Sequence, residues 1–266
     1  MAVDQQSVVL SGTPLRLWFR GRGVTAVLLI AAAVGWWWSA RAMDHQMSAG
    51  DSMGAMSDHS VAVAMSLGAF LVAWLAMMAA MMLPAVAPVV GLYRRAVSAG
   101  RAAPLPIFLS GYLLVWLVPG VPAYWAWRRL AEPLADGRPW AGRLAAGTLL
   151  AAALWQVGPV KAMCLRHCRS PLSFFMRHRG GLRRPMAAIK LGIAHGAFCL
   201  GCCWLLMVVL VALGTMNVYW MAGLAIVIFA EKVVTAGEWF SRATALAMAA
   251  LGLYLLVDPT TVGSIT

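Results

Sequence analysis

All five cysteines of this 266-residue chain fall between Cys164 and Cys203. They come as Cys164-Leu165-Arg166-His167-Cys168 and as His195-Gly196-Ala197-Phe198-Cys199-Leu200-Gly201-Cys202-Cys203, so that Cys-Leu-x-x-Cys occurs twice. On a helix turning about 100° per residue, His195, Cys199 and Cys202 lie within roughly 60° of one another, with Cys203 just beside them. If the first element is also helical through Cys168, Cys164 and Cys168 share a face at i, i+4. Thiolate sulfur and imidazole ligate soft transition metals, and paired thiols also do redox chemistry. A single cysteine here is explained by packing, since free Cys behaves as a small apolar residue. Two such elements and a histidine on one face point instead to ligation or redox work. The metal-ligand candidates are Cys164, Cys168, His195, Cys199, Cys202, Cys203 and His167.

Methionine and histidine form a second concentration: nine of the 17 Met lie between Met43 and Met82. A polar stretch holds Met43, His45, Met47, Met53, Met56 and His59, and an apolar one holds Met77, Met78, Met81 and Met82 ahead of Pro84. Thioethers are soft ligands that select Cu(I), and a polar loop has little packing reason to hold so many. In the apolar stretch, methionine also serves as an adaptable filler. These ten residues are secondary metal candidates. The remaining polar groups inside apolar runs are Gln156, Lys161 and the pair Glu231-Lys232. Charges there are costly unless paired or wetted. Glu231 is placed to balance Lys161 or to supply a carboxylate near the thiols, while Lys161 and Lys232 can also snorkel to an interface.

The elements that must position these residues follow from composition. The chain is 62% hydrophobic and only 11% charged, with a mean hydropathy of +0.79, which excludes an ordinary soluble domain. A membrane-spanning helix takes about 20 mostly apolar residues. Seven stretches approach this: Val24 to Ala40, Val61 to Leu92, Leu105 to Trp127, Leu144 to Met163, Ala187 to Leu213, Val218 to Val234 and Ala243 to Val257. The expected fold is an all-α, polytopic transmembrane bundle of about seven spanning helices. Residues 1–60 would supply an N-terminal membrane helix and an exterior Met/His loop, and residues 61–266 the main bundle.

The first stretch ends in Trp36-Trp37-Trp38 and has no small-residue cleavage pattern, so it reads as a retained helix with an aromatic anchor. With a cytoplasmic N-terminus, 16 of the 21 basic residues fall on interior connections, as the positive-inside rule requires. The basic stretch from Arg166 to Pro185 then lies against anionic lipid headgroups, and the net charge of +12 calls for no nucleic acid. Cysteine-free exterior loops argue against a disulfide framework. Phosphate-binding, dinucleotide-binding, serine-hydrolase and zinc-protease motifs are all missing from the sequence, which argues against an ATP-driven pump within this chain.

The combined motifs resemble the bacterial predicted metal-binding integral membrane proteins, of the DUF 2182 type. The matching segments are Trp74 to Pro84, Gly111-Tyr112 with Trp116, and Gln156 to Lys161 leading to Cys164-Leu165-x-x-Cys168-Arg169-x-Pro171. They continue with Gly192, His195, Cys199, Gly201-Cys202-Cys203-Trp204, Met207, Gly214-x-Met216-Asn217, Trp220-Met221 and Glu231-Lys232. The resemblance spans about residues 65 to 257 and implies a membrane bundle with a metal site. Together with the residues it leads to these expectations: a multi-pass protein of the bacterial inner membrane that binds Cu(I), with zinc as the second candidate, and acts in metal transport, handling or delivery, import, export and delivery to a cuproenzyme or metal chaperone all fitting. A membrane thiol oxidoreductase and a non-catalytic assembly or anchor subunit are the alternatives.

Overall fold

The computed structural model describes residues 66–169, 182–213, 218–234 and 237–265, together with Ile30. Among these residues there are helices and no strand. The main elements are α1 (Leu67–Ser98), α2 (Leu105–Ala135), α3 (Pro139–Val157), α4 (Pro159–Arg169), α5 (Pro185–Ala212), α6 (Val218–Val233) and α7 (Gly237–Val257), followed by a 3₁₀ turn (Pro259–Thr261) and a short α8 (Val262–Ile265). The expected N-terminal span, the exterior Met/His loop and residues 170–181 of the basic stretch lie outside the described residues.

Local sequence sets the helix boundaries. Ser66 caps α1, its Oγ accepting from the Ala69 N–H at 3.2 Å. Pro139 and Pro185 open α3 and α5 at positions where a missing N–H costs nothing. Gly100 and Gly137, both with positive φ, turn the chain after α1 and α2. Those two helices outrun the apolar stretches that predict them, continuing past Arg94 and Arg95 to Ser98 and past Arg128 and Arg129 to Ala135. Backbone hydrogen bonding carries each helix on until a glycine breaks it, whereas apolar composition marks only its membrane-facing part.

The largest departure from expectation lies in the fourth stretch. It is two helices, α3 and α4, meeting at 63° across Gly158. Gly158 is extended (φ −72, ψ 148), the conformation that a following proline imposes by its clash with the preceding residue. Pro159 then starts α4 on a new axis. Four helices, α1, α2, α5 and the Glu238–Val257 part of α7, are long and apolar enough to cross a membrane, and the bent pair makes a fifth if counted as one crossing. The sixth helix has 16 residues, short of the ~20 that a straight crossing takes. The described residues therefore hold four or five candidate spans where sequence alone gives six for the same region.

Burial runs opposite to that of a soluble protein. Val72, Val118, Leu154, Ile226 and Leu246 are exposed, whereas Lys161, Glu231 and Lys232 are buried. Such a surface suits lipid rather than water. Glycine brings α2 and α5 together: a Cβ on Gly192 would run into the Phe108 carbonyl oxygen, and one on Gly111 into that of Ile189. Small residues allow this backbone-to-backbone approach between membrane helices. It sets His195 and Cys199 of α5 directly against Tyr112 of α2.

Candidate metal centre

Cys199, Cys202 and Cys203 are buried on one side of α5, and Cys168 of α4 lies within electrostatic reach of Cys199 and Cys202. Cys164 reaches the same region one turn earlier, because Gly201 has no side chain: a Cβ there would lie 2.9 Å from Cys164 Sγ. All five thiols are free of disulfides. The i, i+4 pairing of Cys164 with Cys168 is realised on α4 alone, beyond the break, and the bend turns that pair toward α5.

At the heart of the group lies a lysine that sequence alone assigns to snorkelling. Lys232, near the end of α6, is buried, and its Nζ donates to Cys199 Sγ at 2.9 Å. The same Nζ lies 3.7 Å from the thioether of Met82 on α1. On the other side of Cys199 the Tyr112 hydroxyl lies 3.1 Å from Sγ. His195 is also buried, its ring stacked on Tyr112 with centroids 6.1 Å apart and within electrostatic reach of Cys199, Cys202 and Lys232. Five helices thus contribute: Met82 from α1, Tyr112 from α2, Cys164 and Cys168 from α4, four residues from α5 and Lys232 from α6.

The thiols are gathered but not caged. Cys202 and Cys203 both donate to the Cys199 carbonyl oxygen at 3.0 Å, so their sulfurs are turned back onto their own helix. Among the described residues, no set of three or more His, Cys, Asp or Glu side chains is already arranged to hold a metal ion. A soft cation binding here would draw ligands away from these local bonds. Rotating a thiol about one Cα–Cβ bond costs little compared with rebuilding a helix.

A second polar cluster adjoins the first through the chain itself. Glu231, next to Lys232, accepts from Lys161 Nζ at 2.7 Å and from Gln156 Nε2 at 2.9 Å, all of them buried. Ser241 of α7 then donates to the Gln156 carbonyl oxygen at 3.0 Å. Lys161 is therefore ion-paired inside the bundle instead of reaching for an interface. At the far end of α4, Arg169 donates to the Val234 carbonyl oxygen. Both ends of α4 are thus fastened to the last residues of α6 and to the one that follows it.

Some sequence candidates lie elsewhere. His167 turns away from the thiols, its Nδ1 2.9 Å from the Met163 carbonyl oxygen and its ring stacked on Phe198 with centroids 4.4 Å apart. Met78 and Met81 are packed in the core and Met77 is partly buried against it. Met43, His45, Met47, Met53, Met56 and His59 lie outside the described residues. Lys232 and Tyr112 were absent from the candidate ligand set. The signal for both was their motif context, Glu231-Lys232 and Gly111-Tyr112, with only the carboxylate of the first read as functional.

A family model described as a copper chaperone, PpoB2, matches residues 71–255. The chain belongs to this copper-chaperone family. The match runs from α1 into α7 and includes every helix that contributes to the thiol group. No curated protein and no solved structure gives a match. Membership of the PpoB2 family fits a site dominated by sulfur, the donor preferred by Cu(I). Zinc gains no support from the family or from the arrangement of the side chains.

Proposed function

We propose that this protein is a multi-pass chaperone of the bacterial inner membrane that takes up Cu(I) and hands it to a cuproenzyme or to another metal carrier. The observation that carries this reading is the meeting of five free thiols, the Met82 thioether and His195 between helices of a chain in the copper-chaperone family. Copper is the cargo. Cys168, Cys199 and Cys202 would hold it, with Cys164, Cys203 and His195 as further donors, because soft ligands exchange Cu(I) readily. A handover protein needs that exchange, and a preformed tetrahedral cage would work against it. The exterior Met43 to His59 loop would collect metal, and Met77, Met78, Met81 and Met82 would line its way inward. Positive-inside orientation with a cytoplasmic N-terminus, seven crossings, the split at residue 60, lipid contacts and the narrower DUF 2182 resemblance belong to the same reading.

The test is metal analysis of the protein purified in detergent under reducing, anaerobic conditions. The comparison is a variant with Cys164, Cys168, Cys199 and Cys202 changed to Ser. Near-stoichiometric copper that disappears in the variant is the expected result. Absence of copper from both proteins, even after loading with Cu(I), overturns the proposal.

A second reading is supported by the Lys232 to Cys199 contact, since a cation beside a thiol is the setting of reactive cysteines. As a thiol oxidoreductase, the protein would oxidise Cys199 with Cys202 or Cys168 to a disulfide while reducing a substrate disulfide to two thiols, with no metal bound. Thiol counting after exposure to a mild disulfide oxidant separates the two readings.

A further inference from the structure

The Lys232 side chain poses a question that copper binding alone does not answer. A buried ammonium inside a membrane bundle is expensive unless a carboxylate neutralises it. The adjacent carboxylate, Glu231, has its two oxygens engaged by Gln156 and Lys161. Lys232 instead directs Nζ at two sulfur atoms, Cys199 Sγ at 2.9 Å and Met82 Sδ at 3.7 Å. These atoms come from different helices, α5 and α1, and a thiolate together with a thioether is a donor pair suited to Cu(I). Nζ and a Cu(I) ion carry the same unit charge. The ammonium thus stands where a monovalent cation between those sulfurs would stand.

We infer that Lys232 is a resident cation of the sulfur site and that cargo binding is an exchange: Cu(I) enters between Cys199 and Met82 as the ammonium withdraws, and the returning ammonium drives Cu(I) out at handover. The inference rests on the chaperone reading. With Cys199 a thiolate in both states, one monovalent cation replaces another at the sulfurs, so no unit of charge is left buried without a partner there, and neither a proton nor an electron is transferred. Lys232 is one residue from the end of α6, where a flexible four-carbon stem can swing its head toward a membrane boundary. Its competitor role explains why a site with so many sulfurs need not become a sink: each returning ammonium reclaims a ligand.

The experiment uses the full chain in detergent or nanodiscs, reduced and anaerobic, with Ag(I) as a redox-inert monovalent probe. An amine-acylating reagent is applied before and after Ag(I) loading, and the peptide carrying Lys232 is quantified by mass spectrometry. Labelling of Lys232 is expected to rise severalfold on loading. Release is then followed as transfer of bound Cu(I) to a bicinchoninate chelator. The Lys232→Gln variant should release Cu(I) more slowly by about tenfold, the scale of one charge-assisted contact, and Lys232→Arg should stay near the native rate. If Lys232 labelling is unchanged or lower on Ag(I) loading, or if the Gln variant releases Cu(I) at the native rate, the exchange is wrong while the chaperone reading stands. If the native chain binds neither Ag(I) nor Cu(I), both fail together. The labelling arm needs no variant, so a misfolded Lys232→Gln protein does not remove the test.

Discussion

Glu231 on α6 holds the Lys161 ammonium of α4 at 2.7 Å, with both side chains withdrawn from solvent. Because Lys161 lies one turn before Cys164 and two before Cys168 on the same helix, this ion pair fixes the rotation and depth at which α4 offers its thiols. Glu231→Gln should therefore lower stability by about 3–5 kcal/mol, the cost of stranding one partner of a buried pair. The double variant Lys161→Met, Glu231→Leu should recover most of that loss. Thermal unfolding in detergent checks both. Equal stability of Glu231→Gln and the native chain would mean that the pair is solvated in the membrane.

Tyr112 bears on Cu(I) affinity without being a soft ligand. Its hydroxyl lies 3.1 Å from Cys199 Sγ, and removing such an outer partner of a metal ligand typically weakens binding about tenfold. Tyr112→Phe should show that loss in a competitive Cu(I) titration while unfolding at nearly the native temperature. An unchanged affinity would remove Tyr112 from the site.

The close approach of α2 and α5 gives a structural prediction. Gly192→Ala pushes a methyl group into the Phe108 carbonyl oxygen, and overpacking of this kind costs roughly 1–3 kcal/mol. The variant should unfold at lower temperature, and because the helices must part, Cys199 should become more reactive toward a maleimide. By contrast, Gly147→Ala, with open space around the added atom, should be neutral or slightly stabilising.

Thiol accessibility should follow burial. Cys168 is partly exposed while Cys164, Cys199, Cys202 and Cys203 are buried, so a maleimide should modify Cys168 first in the reduced protein. Prior loading with Ag(I) should slow that modification, since Cys168 lies within electrostatic reach of Cys199 and Cys202. Faster labelling of Cys199 than of Cys168 would contradict the packing of α4 on α5.

Much of this architecture can be read from the chain. Composition alone gives a helical membrane bundle, and helical spacing correctly sets His195, Cys199, Cys202 and Cys203 on a common side of α5. The bend in the fourth stretch escapes a hydropathy reading because apolar residues continue through it. Gly158-Pro159 is its only mark, and a proline in a membrane helix can as easily kink as break. The role of Lys232 escapes for another reason. Snorkelling is the general fate of a lysine near a helix end, and only the three-dimensional fold reveals that Met82 and Cys199, 117 residues apart in the chain, flank its head. His167, next to a cysteine in sequence, sits about 100° from Cys168 around α4, stacked on Phe198.

The position of Lys232 also orders events during synthesis. Every cysteine leaves the ribosome before this lysine does, since the last of them is Cys203. Until α6 is inserted, α4 and α5 lack both the ammonium that faces Cys199 and the carboxylate that secures Lys161. A nascent chain halted between α5 and α6 thus carries all five thiols without either contact from α6, and only completion of that helix brings both into place.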